Sequence, residues 1–163
     1  MLLEGDDAFV KQHCESKRYR GSGPGGQHRN KVETCARVTH IATGISATAC
    51  EHRELKLNTD MAVRRLRIKL AADIRHPFVM VDGQHLNFPG TKGRISASNK
   101  GYPLFVARFL DVLAGNKGQL RPAAEAFGIT SSAATRIAFA DKVFLASVQS
   151  IRQQNGLNPL KSR

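Results

Sequence analysis

The sequence predicts an α+β fold, in which a small mixed sheet with a Gly-Gly-Gln loop and a packed helix is followed by a mostly helical C-terminal region. Short segments of β-branched and small residues, separated by turn residues, fill the first half of the chain. Apolar residues at helical spacing recur from about residue 58 onwards. With 163 residues, 41% of them hydrophobic, the chain can bury a core. We expect divisions at residues 1–76, 77–101 and 102–163.

The chain opens with a predicted short helix over residues 3–11, in which Leu3 and Val10 are the candidate buried positions. Residues 13–20 are polar and predict a strand. Residues 21–26 contain four glycines and a proline, so this segment must be a loop.

A hairpin is predicted next. Residues 35–41 and 45–50 both mix β-branched and small residues, and Thr43-Gly44 lies between them. That arrangement is typical of two antiparallel strands joined by a two-residue turn.

A helix is predicted from about residue 58 to residue 72. Val63, Leu66 and Leu70 fall at i, i+3 and i+7, so they should form its buried stripe. Pro77 marks its end.

The second half begins with a predicted strand over residues 78–81 and an irregular basic connector over residues 84–101. The remainder has helical periodicity. Its two apolar stripes are Phe105, Phe109, Val112 and Leu113, and then Phe144, Val148 and Ile151.

The charge and the cysteine content limit the functions and the cellular location that we expect. The chain has 25 Lys and Arg against 13 Asp and Glu, a net charge of +12, which favours a nucleic-acid partner over charge that serves only solubility. Three cysteines without a C-x-x-C motif argue against a disulfide framework and fit a reducing compartment. No Cys and His spacing matches a zinc pattern, so neither metal nor cofactor is expected. Without a signal sequence or an apolar span, the expected location is cytoplasmic.

The most informative segment is residues 20–31, Arg-Gly-Ser-Gly-Pro-Gly-Gly-Gln-His-Arg-Asn-Lys. Its glycines spell G-x-G-x-x-G, but a dinucleotide site needs an apolar strand before that motif. Here the preceding residues are basic, and Pro24 interrupts the motif. A Walker loop is excluded because Gln27 stands where that motif requires lysine.

Residues 22–31 resemble the catalytic loop of the class I peptide chain release factors. The resemblance continues through residues 33–40, the strand after the loop, and residues 42–45, where Ala42 replaces the proline of a Pro-Thr-Gly-Ile turn. In all it covers about residues 13–72. Arg53, Asn58 and residues 62–67 resemble the family's closing helix, whereas Glu54-Leu55 depart from the usual Ser-Gln.

The resemblance implies hydrolysis of the peptidyl-tRNA ester, with Gly25, Gly26 and Gln27 as the catalytic residues. The glycines would let the backbone approach the terminal ribose closely. The backbone N–H of Gln27 would stabilise the developing oxyanion or the leaving 3′-oxygen, and its side chain would limit which nucleophiles enter. The ribose hydroxyl of the tRNA would help to move the proton. A flexible glycine-rich turn without function is the alternative.

A second group of residues is expected to contact nucleic acid. Arg29 and Lys31 suit RNA phosphates, Asn30 suits a bracing role, and His28 suits local hydrogen bonding. Arg64, Arg65, Arg67 and Lys69 could also grip RNA, although a solvated helix face is the favoured interpretation for any one of them. The expected nucleic-acid-binding residues are Arg20, Ser22, His28, Arg29, Asn30, Lys31, Arg64 and Arg65.

The short N-terminal stretch leaves no room for the codon-reading domains of full release factors, so codon-independent release or ribosome rescue is expected. The partners would be the peptidyl-transferase centre of the large ribosomal subunit, ribosomal RNA and peptidyl-tRNA, with the chain acting as a monomer. Rescue hydrolases of this kind end in a long basic tail, but residues 155–163 are only mildly basic. The alternatives are a non-catalytic ribosome- or RNA-binding factor and a hydrolase of free peptidyl-tRNA.

Residues 123–136 resemble a helix-turn-helix, with Gly128 at the turn and a second helix opening at Ser131. Such a module could dock on RNA or DNA. Because the second helix carries few basic residues, a compact helix pair used only as core is the favoured interpretation.

Overall fold

The computed structural model describes residues 2–21, 33–77 and 85–161. The chain divides into two compact units, Met1–Leu70 and Ala71–Arg163. The division expected from the sequence, after residues 76 and 101, stays a prediction. The α+β class is confirmed, with one small sheet in the first unit and a helical second unit.

The first unit begins with a 3₁₀ turn, Leu2–Glu4, and helix α1, Asp7–Gln12. The Asp6 side chain caps α1 at its N-terminus, as short polar side chains commonly do. Leu3 and Val10 are buried, which confirms the two predicted positions.

Three strands form the sheet: β1, Cys14–Tyr19; β2, Cys35–His40; and β3, Ser46–Ala49. Their order is β1-β2-β3, and both pairings are antiparallel. The sheet was predicted to be mixed, but every pairing in the described residues is antiparallel. The connection from β2 to β3, residues 41–45, is too short for a crossover, so it returns the chain in the opposite direction.

The hairpin between β2 and β3 has a longer turn than the two residues predicted. The strands end at His40 and resume at Ser46. The Thr43 hydroxyl lies 2.8 Å from Nδ1 of His40 and accepts a hydrogen bond from the Ile45 backbone at 3.3 Å. The turn is also closed along the backbone, by hydrogen bonds of 2.9 Å from the His40 N–H to the Ile45 carbonyl oxygen and from the Gly44 N–H to the His40 carbonyl oxygen.

Helix α2, Leu55–Asp73, closes the first unit and runs past its boundary. Val63, Leu66 and Leu70 are buried, so the predicted stripe is confirmed. The helix starts three residues before its predicted start at residue 58 and ends four residues before Pro77.

Beyond the end of α2, the described residues of the second unit form four helices: α3, Tyr102–Gly115; α4, Leu120–Glu125; α5, Ser131–Ala140; and α6, Lys142–Gln154. Its core is aromatic. The rings of Phe105, Phe109, Phe127 and Phe144 lie between 5.2 and 6.2 Å apart, in tilted or edge-to-face arrangements that suit their quadrupoles. The predicted positions on α3 and two of the three on α6 are buried.

Helices α4 and α5 form the predicted helix-turn-helix. Gly128 lies in the turn with φ of +62°, and Thr130 caps α5 by accepting a hydrogen bond from the backbone of Ala133. The connector is irregular over residues 85–101 apart from one bridge between Thr91 and Arg94. The strand predicted over residues 78–81 lies outside the described residues.

Candidate active site

The three predicted catalytic residues lie outside the described part of the chain, as do Ser22, His28, Arg29, Asn30 and Lys31. Their placement therefore stays a prediction. The structure does describe the two ends of the loop that carries them. We call residues 19–21, where the loop departs, and residues 33–35, where it returns, the loop base.

The loop base is closed by the sheet. Tyr19 is paired with Cys35 at the end of the β1–β2 ladder, so both ends of the loop leave the same edge of the sheet. The Tyr19 hydroxyl lies 3.2 Å from Sγ of Cys50, and the guanidinium of Arg37 lies 5.7 Å from the centre of the Tyr19 ring. The ring is thus held from two sides.

Glu33 connects the two ends of the loop electrostatically. Its carboxylate lies 3.6 Å from Nε of Arg18 and 3.7 Å from Nε of Arg20. All three side chains are more than 40% exposed, so water and salt screen these pairs and each contributes little to stability. Arg20, predicted to bind nucleic acid, is therefore exposed at the loop base beside a carboxylate.

Asn58 fixes the returning end of the loop from the first turns of α2. Its side chain is fully buried and donates to the carbonyl oxygens of Thr34 at 2.6 Å and His52 at 2.8 Å. Its own carbonyl accepts from the backbone N–H of His52 at 2.9 Å. One amide therefore satisfies three backbone groups, each of which would be costly to bury unpaired.

A disulfide joins Cys35 and Cys50, whose Cα atoms lie 4.4 Å apart. The sequence argued against a disulfide framework, and this single bridge was not predicted. The physical reason is the strand register, which pairs Ala36 with Ala49 and so places the two cysteines opposite each other. Cys14 is free, and partial burial raises the pKa of its thiol.

The arginines of α2 separate into different environments. Arg64 is exposed, as a residue that contacts RNA would be. Arg65 donates to the carbonyl oxygen of Thr48 at 2.8 Å and to the carboxylate of Glu51 at 2.6 Å. The hydrogen bond from Arg65 is the main cause of a lowered Glu51 pKa. Arg65 therefore braces the sheet while its side chain stays partly exposed.

Arg67, considered above as an RNA contact, is 5% exposed. It pairs with Asp7 at 2.7 Å and donates to the carbonyl oxygens of Leu3 and Gly5. A side chain engaged in this way docks the N-terminal segment on α2 and is not available to a phosphate. Lys69, by contrast, is exposed and donates to the carbonyl oxygen of Ser46.

Two contributors to the loop base were not identified from the residues. Asn58 was quoted only through the family resemblance, although it lies four residues before Ala62 and eight before Leu66, on the buried face of α2. A polar residue on an apolar stripe is a signal of a buried hydrogen-bonding role. Glu33 carried a weaker signal, as an acidic residue directly after a basic loop.

The described residues, 2–21, 33–77 and 85–161, contain no group of three or more His, Cys, Asp or Glu side chains that could hold a metal ion. None of the helices in those ranges is long and apolar enough to cross a membrane.

Known proteins resemble the part of the chain that contains the loop base. A family model described as the RF-1 domain matches residues 8–78. Peptide chain release factor 1 of Chloroherpeton thalassium is 42% identical over 73 residues, which cover 43% of this chain and 20% of that protein. The protein of the same name from Mycoplasma capricolum is 38% identical over 77 residues, covering 47% and 21%. That of Leptospira biflexa is 47% identical over 53 residues, covering 32% and 15%.

The aligned part thus spans about a fifth or less of the length of these relatives. The matched segment contains the three strands, the loop between β1 and β2, and α2. Most of the helical second unit lies beyond it.

Proposed function

We propose that the chain, whose residues 8–78 match the RF-1 domain model, is a member of the class I peptide chain release factor family and hydrolyses the ester bond of ribosome-bound peptidyl-tRNA without reading a codon. The observation that carries the proposal is a Gly-Gly-Gln sequence in a loop whose two ends are held together. The relatives are named for the release of peptide chains, which fits this chemistry.

The loop base supports a positioning role for the protein. The strand pairing, the amide of Asn58 and the carboxylate of Glu33 hold the start and the end of the loop at one edge of the sheet. Fixing both ends reduces the conformations open to the intervening residues 22–32. Less ordering is then required when the loop enters its binding site on the ribosome.

The reaction needs water in line with the ester carbonyl and a donor for the oxygen that gains negative charge. Gly25 and Gly26 let the backbone come close to the terminal ribose, where a methyl group would occupy the space of the substrate. The backbone N–H of Gln27 supplies the donor. A donor of this type typically contributes about 3 to 4 kcal/mol to transition-state stabilisation.

Nucleic-acid contacts surround the loop in this proposal. Arg20 at the loop base and Arg64 on α2 are exposed, as phosphate contacts require. Arg65 contacts RNA only if its guanidinium binds RNA and Glu51 together, or if its hydrogen bond to Glu51 breaks. The remaining contacts assigned to the loop are Ser22, His28, Arg29, Asn30 and Lys31.

The partners in this proposal are the peptidyl-transferase centre of the large subunit, its ribosomal RNA and peptidyl-tRNA. The protein acts as a monomer in the cytoplasm, as a ribosome-rescue hydrolase. The net charge of +12 fits a polyanionic partner of this size.

Codon independence is tested by measuring peptide release from ribosomes whose P site holds labelled peptidyl-tRNA and whose A site is empty of mRNA, holds a sense codon or holds a stop codon. The proposal predicts release that does not depend on a stop codon. Release confined to the stop-codon ribosomes would contradict it. Equal hydrolysis of free peptidyl-tRNA would instead identify a hydrolase that does not require the ribosome.

A further inference from the structure

The connector of the second unit makes a tight turn at Thr91–Arg94. The two end residues exchange backbone hydrogen bonds of 2.9 Å in both directions. The central residues, Lys92 and Gly93, have φ of +50° and +67°. Two consecutive residues with positive φ are the signature of a type I′ turn, which projects its first side chain into solvent. We call this feature the connector turn.

The connector turn is docked on the second helix of the helix-turn-helix. Arg136 of α5 donates to the carbonyl oxygen of Gly93 at 3.1 Å. A methyl group at Gly93 would lie 2.9 Å from the Cβ of Ala133, closer than such atoms normally approach. The absence of a side chain at Gly93 therefore lets the turn lie directly against α5, and turn and helix present one joint surface.

This joint surface is strongly cationic. Lys92 and Arg94 in the turn and Arg136 on α5 are exposed, and Lys100, later in the connector, is exposed as well. The sequence contains no Asp or Glu between His85 and Leu110, so nothing within that stretch offsets the charge. Lys92, Arg94 and Lys100 also form no ion pair with any residue in the described ranges. Cations left unpaired in this way suit a partner rich in phosphate.

A depression of about 520 Å³ opens beside the connector turn. Arg94 lines it together with Thr91, Ser96, Ser98 and Asn99. The Ser96 and Ser98 hydroxyls bond each other and the Asn99 amide bonds Pro89 and Gly101, so Arg94 is the charged donor that this depression offers to phosphate oxygens.

Helix α5 also carries an exposed aromatic ring. Phe139 is 37% exposed and lies three residues after Arg136 on α5, hence on the same side of the helix. An exposed aromatic ring next to cationic side chains is the pairing that single-stranded or looped RNA uses, because bases stack on the ring while phosphates contact the cations.

We propose that the connector turn and the exposed side of α5 form an RNA-binding surface, separate from the Gly-Gly-Gln loop. The sequence argued against binding because the second helix of the helix-turn-helix has few basic residues. In the structure, the basic residues that α5 lacks are provided by the connector, about 40 residues earlier in the chain. The choice of RNA rather than DNA rests on the proposed function, whereas the cationic surface itself does not.

The test uses the full chain and a fluorescein-labelled RNA hairpin with an unpaired loop, with binding followed by anisotropy over a series of KCl concentrations. The variant Lys92→Asn/Arg94→Gln removes two charges and keeps the turn, since asparagine tolerates positive φ. We expect the affinity to fall about tenfold or more, and the slope of log K against log salt to fall by about one to two.

The matched control is Lys117→Asn/Lys161→Gln. Lys117 is also exposed and also has positive φ, at +51°, and Lys161 is exposed near the C-terminus. Equal losses in the two variants, or no loss in the first, would overturn the proposal. Phe139→Leu keeps an apolar side chain on the helix and should weaken binding about fivefold or more through lost stacking. Unchanged binding in that variant would count against the aromatic part of the surface.

A DNA hairpin of the same sequence separates the two nucleic acids. Weaker binding of DNA supports the proposal, and equal binding overturns the assignment to RNA. Because anisotropy does not require hydrolysis, the measurement is repeated with Gly26→Ala in the same chain. If the Gly26→Ala chain releases no peptide but still binds RNA, the RNA-binding surface is supported independently of the proposed hydrolysis.

Discussion

Asn58 is the residue on which the loop base most depends. It is fully buried, and its amide binds Thr34, next to the returning end of the loop, and both backbone groups of His52. A side chain with both a donor and an acceptor is required there. Aspartate lacks the donor, and leucine of similar size lacks both.

Asn58→Leu should lower the free energy of unfolding by about 3 kcal/mol, because three partly buried backbone groups lose their partner. Urea denaturation checks this value. The control is Asn155→Ala, which removes one exposed hydrogen bond to the carbonyl oxygen of Ile151 and should cost less than about 1 kcal/mol. Similar small losses in the two variants would show that Asn58 does not hold the loop base.

The amino-acid types alone did not show which arginines of α2 are exposed and which is buried. The sequence placed Arg64 and Arg65 off the apolar stripe, and both are exposed. It did not show that Arg67 would be buried against Asp7 and the carbonyl oxygens of the N-terminal segment. Those partners are about 60 residues away in sequence, so no local sequence pattern predicts these contacts.

At the scale of elements, side chains of α2 hold the helix against the sheet. Arg65 donates to Thr48 in β3 and to Glu51 just after it, and Lys69 donates to Ser46 in the same strand. These contacts tie α2 to β3 through two of the four exposed basic residues of the helix, which are Lys56, Arg64, Arg65 and Lys69. They satisfy carbonyl oxygens that would otherwise require water.

The Arg65–Glu51 pair predicts a pH effect. The hydrogen bond from Arg65 lowers the Glu51 pKa below its ordinary value of 4.5, so the pair stabilises the fold above that pH and this contribution is lost as pH falls through the folded-state pKa. Glu51→Gln should therefore lose less stability than the wild type on acidification from about pH 6 to about pH 3.

Urea unfolding at each pH measures this difference, which should be small because Glu51 is 48% exposed and should shrink in high salt. Glu54→Gln is the control, since Glu54 is exposed and forms no side-chain ion pair within the described residues. The prediction is wrong if the two variants show the same pH dependence as the wild type.

The conformation of the turn in the helix-turn-helix gives a second prediction at the scale of elements. Gly128 has φ of +62°, and a methyl group there would meet no atom within 4 Å. Gly128→Ala should therefore cost only the backbone conformational penalty, about 1 kcal/mol, and Gly128→Asn should cost less. Thermal unfolding distinguishes them. A loss of several kcal/mol would mean that the turn is packed more tightly than this geometry allows.

Elements with long apolar periodicity were predictable, because i, i+3 and i+7 spacing fixes a buried face without knowledge of the partner. Helices α2, α3 and α6 are examples. The length of the turn between β2 and β3 was not predicted, because the backbone hydrogen bonds that join His40 to Gly44 and Ile45 are not evident from the residue pattern. The Cys35–Cys50 bridge was not either, since it depends on the strand register.

At the scale of the molecule, the chain combines a segment that matches the RF-1 domain model, residues 8–78, with a helical unit that carries exposed cationic residues. The sequence predicted both the α+β class and a basic connector. It did not predict that residues 92–94 would lie against α5, because that contact joins segments about 40 residues apart. The catalytic assignment, in contrast, came from a continuous motif of ten residues, which needs no tertiary information.

The most direct measurement of the central claim is release of labelled peptide from ribosomes whose mRNA ends in the P site, with wild type, Gly26→Ala and Gln27→Pro compared at equal ribosome occupancy. Gly44→Ala, in the β2–β3 turn where an added methyl group meets no atom within 4 Å, is the matched glycine control. We predict release by wild type and by Gly44→Ala, none by Gly26→Ala, and a loss of about 10² to 10³-fold in Gln27→Pro, which lacks the backbone N–H. Full activity in Gln27→Pro would contradict the backbone-donor mechanism, and full activity in Gly26→Ala would contradict the assignment of this loop as the catalytic site.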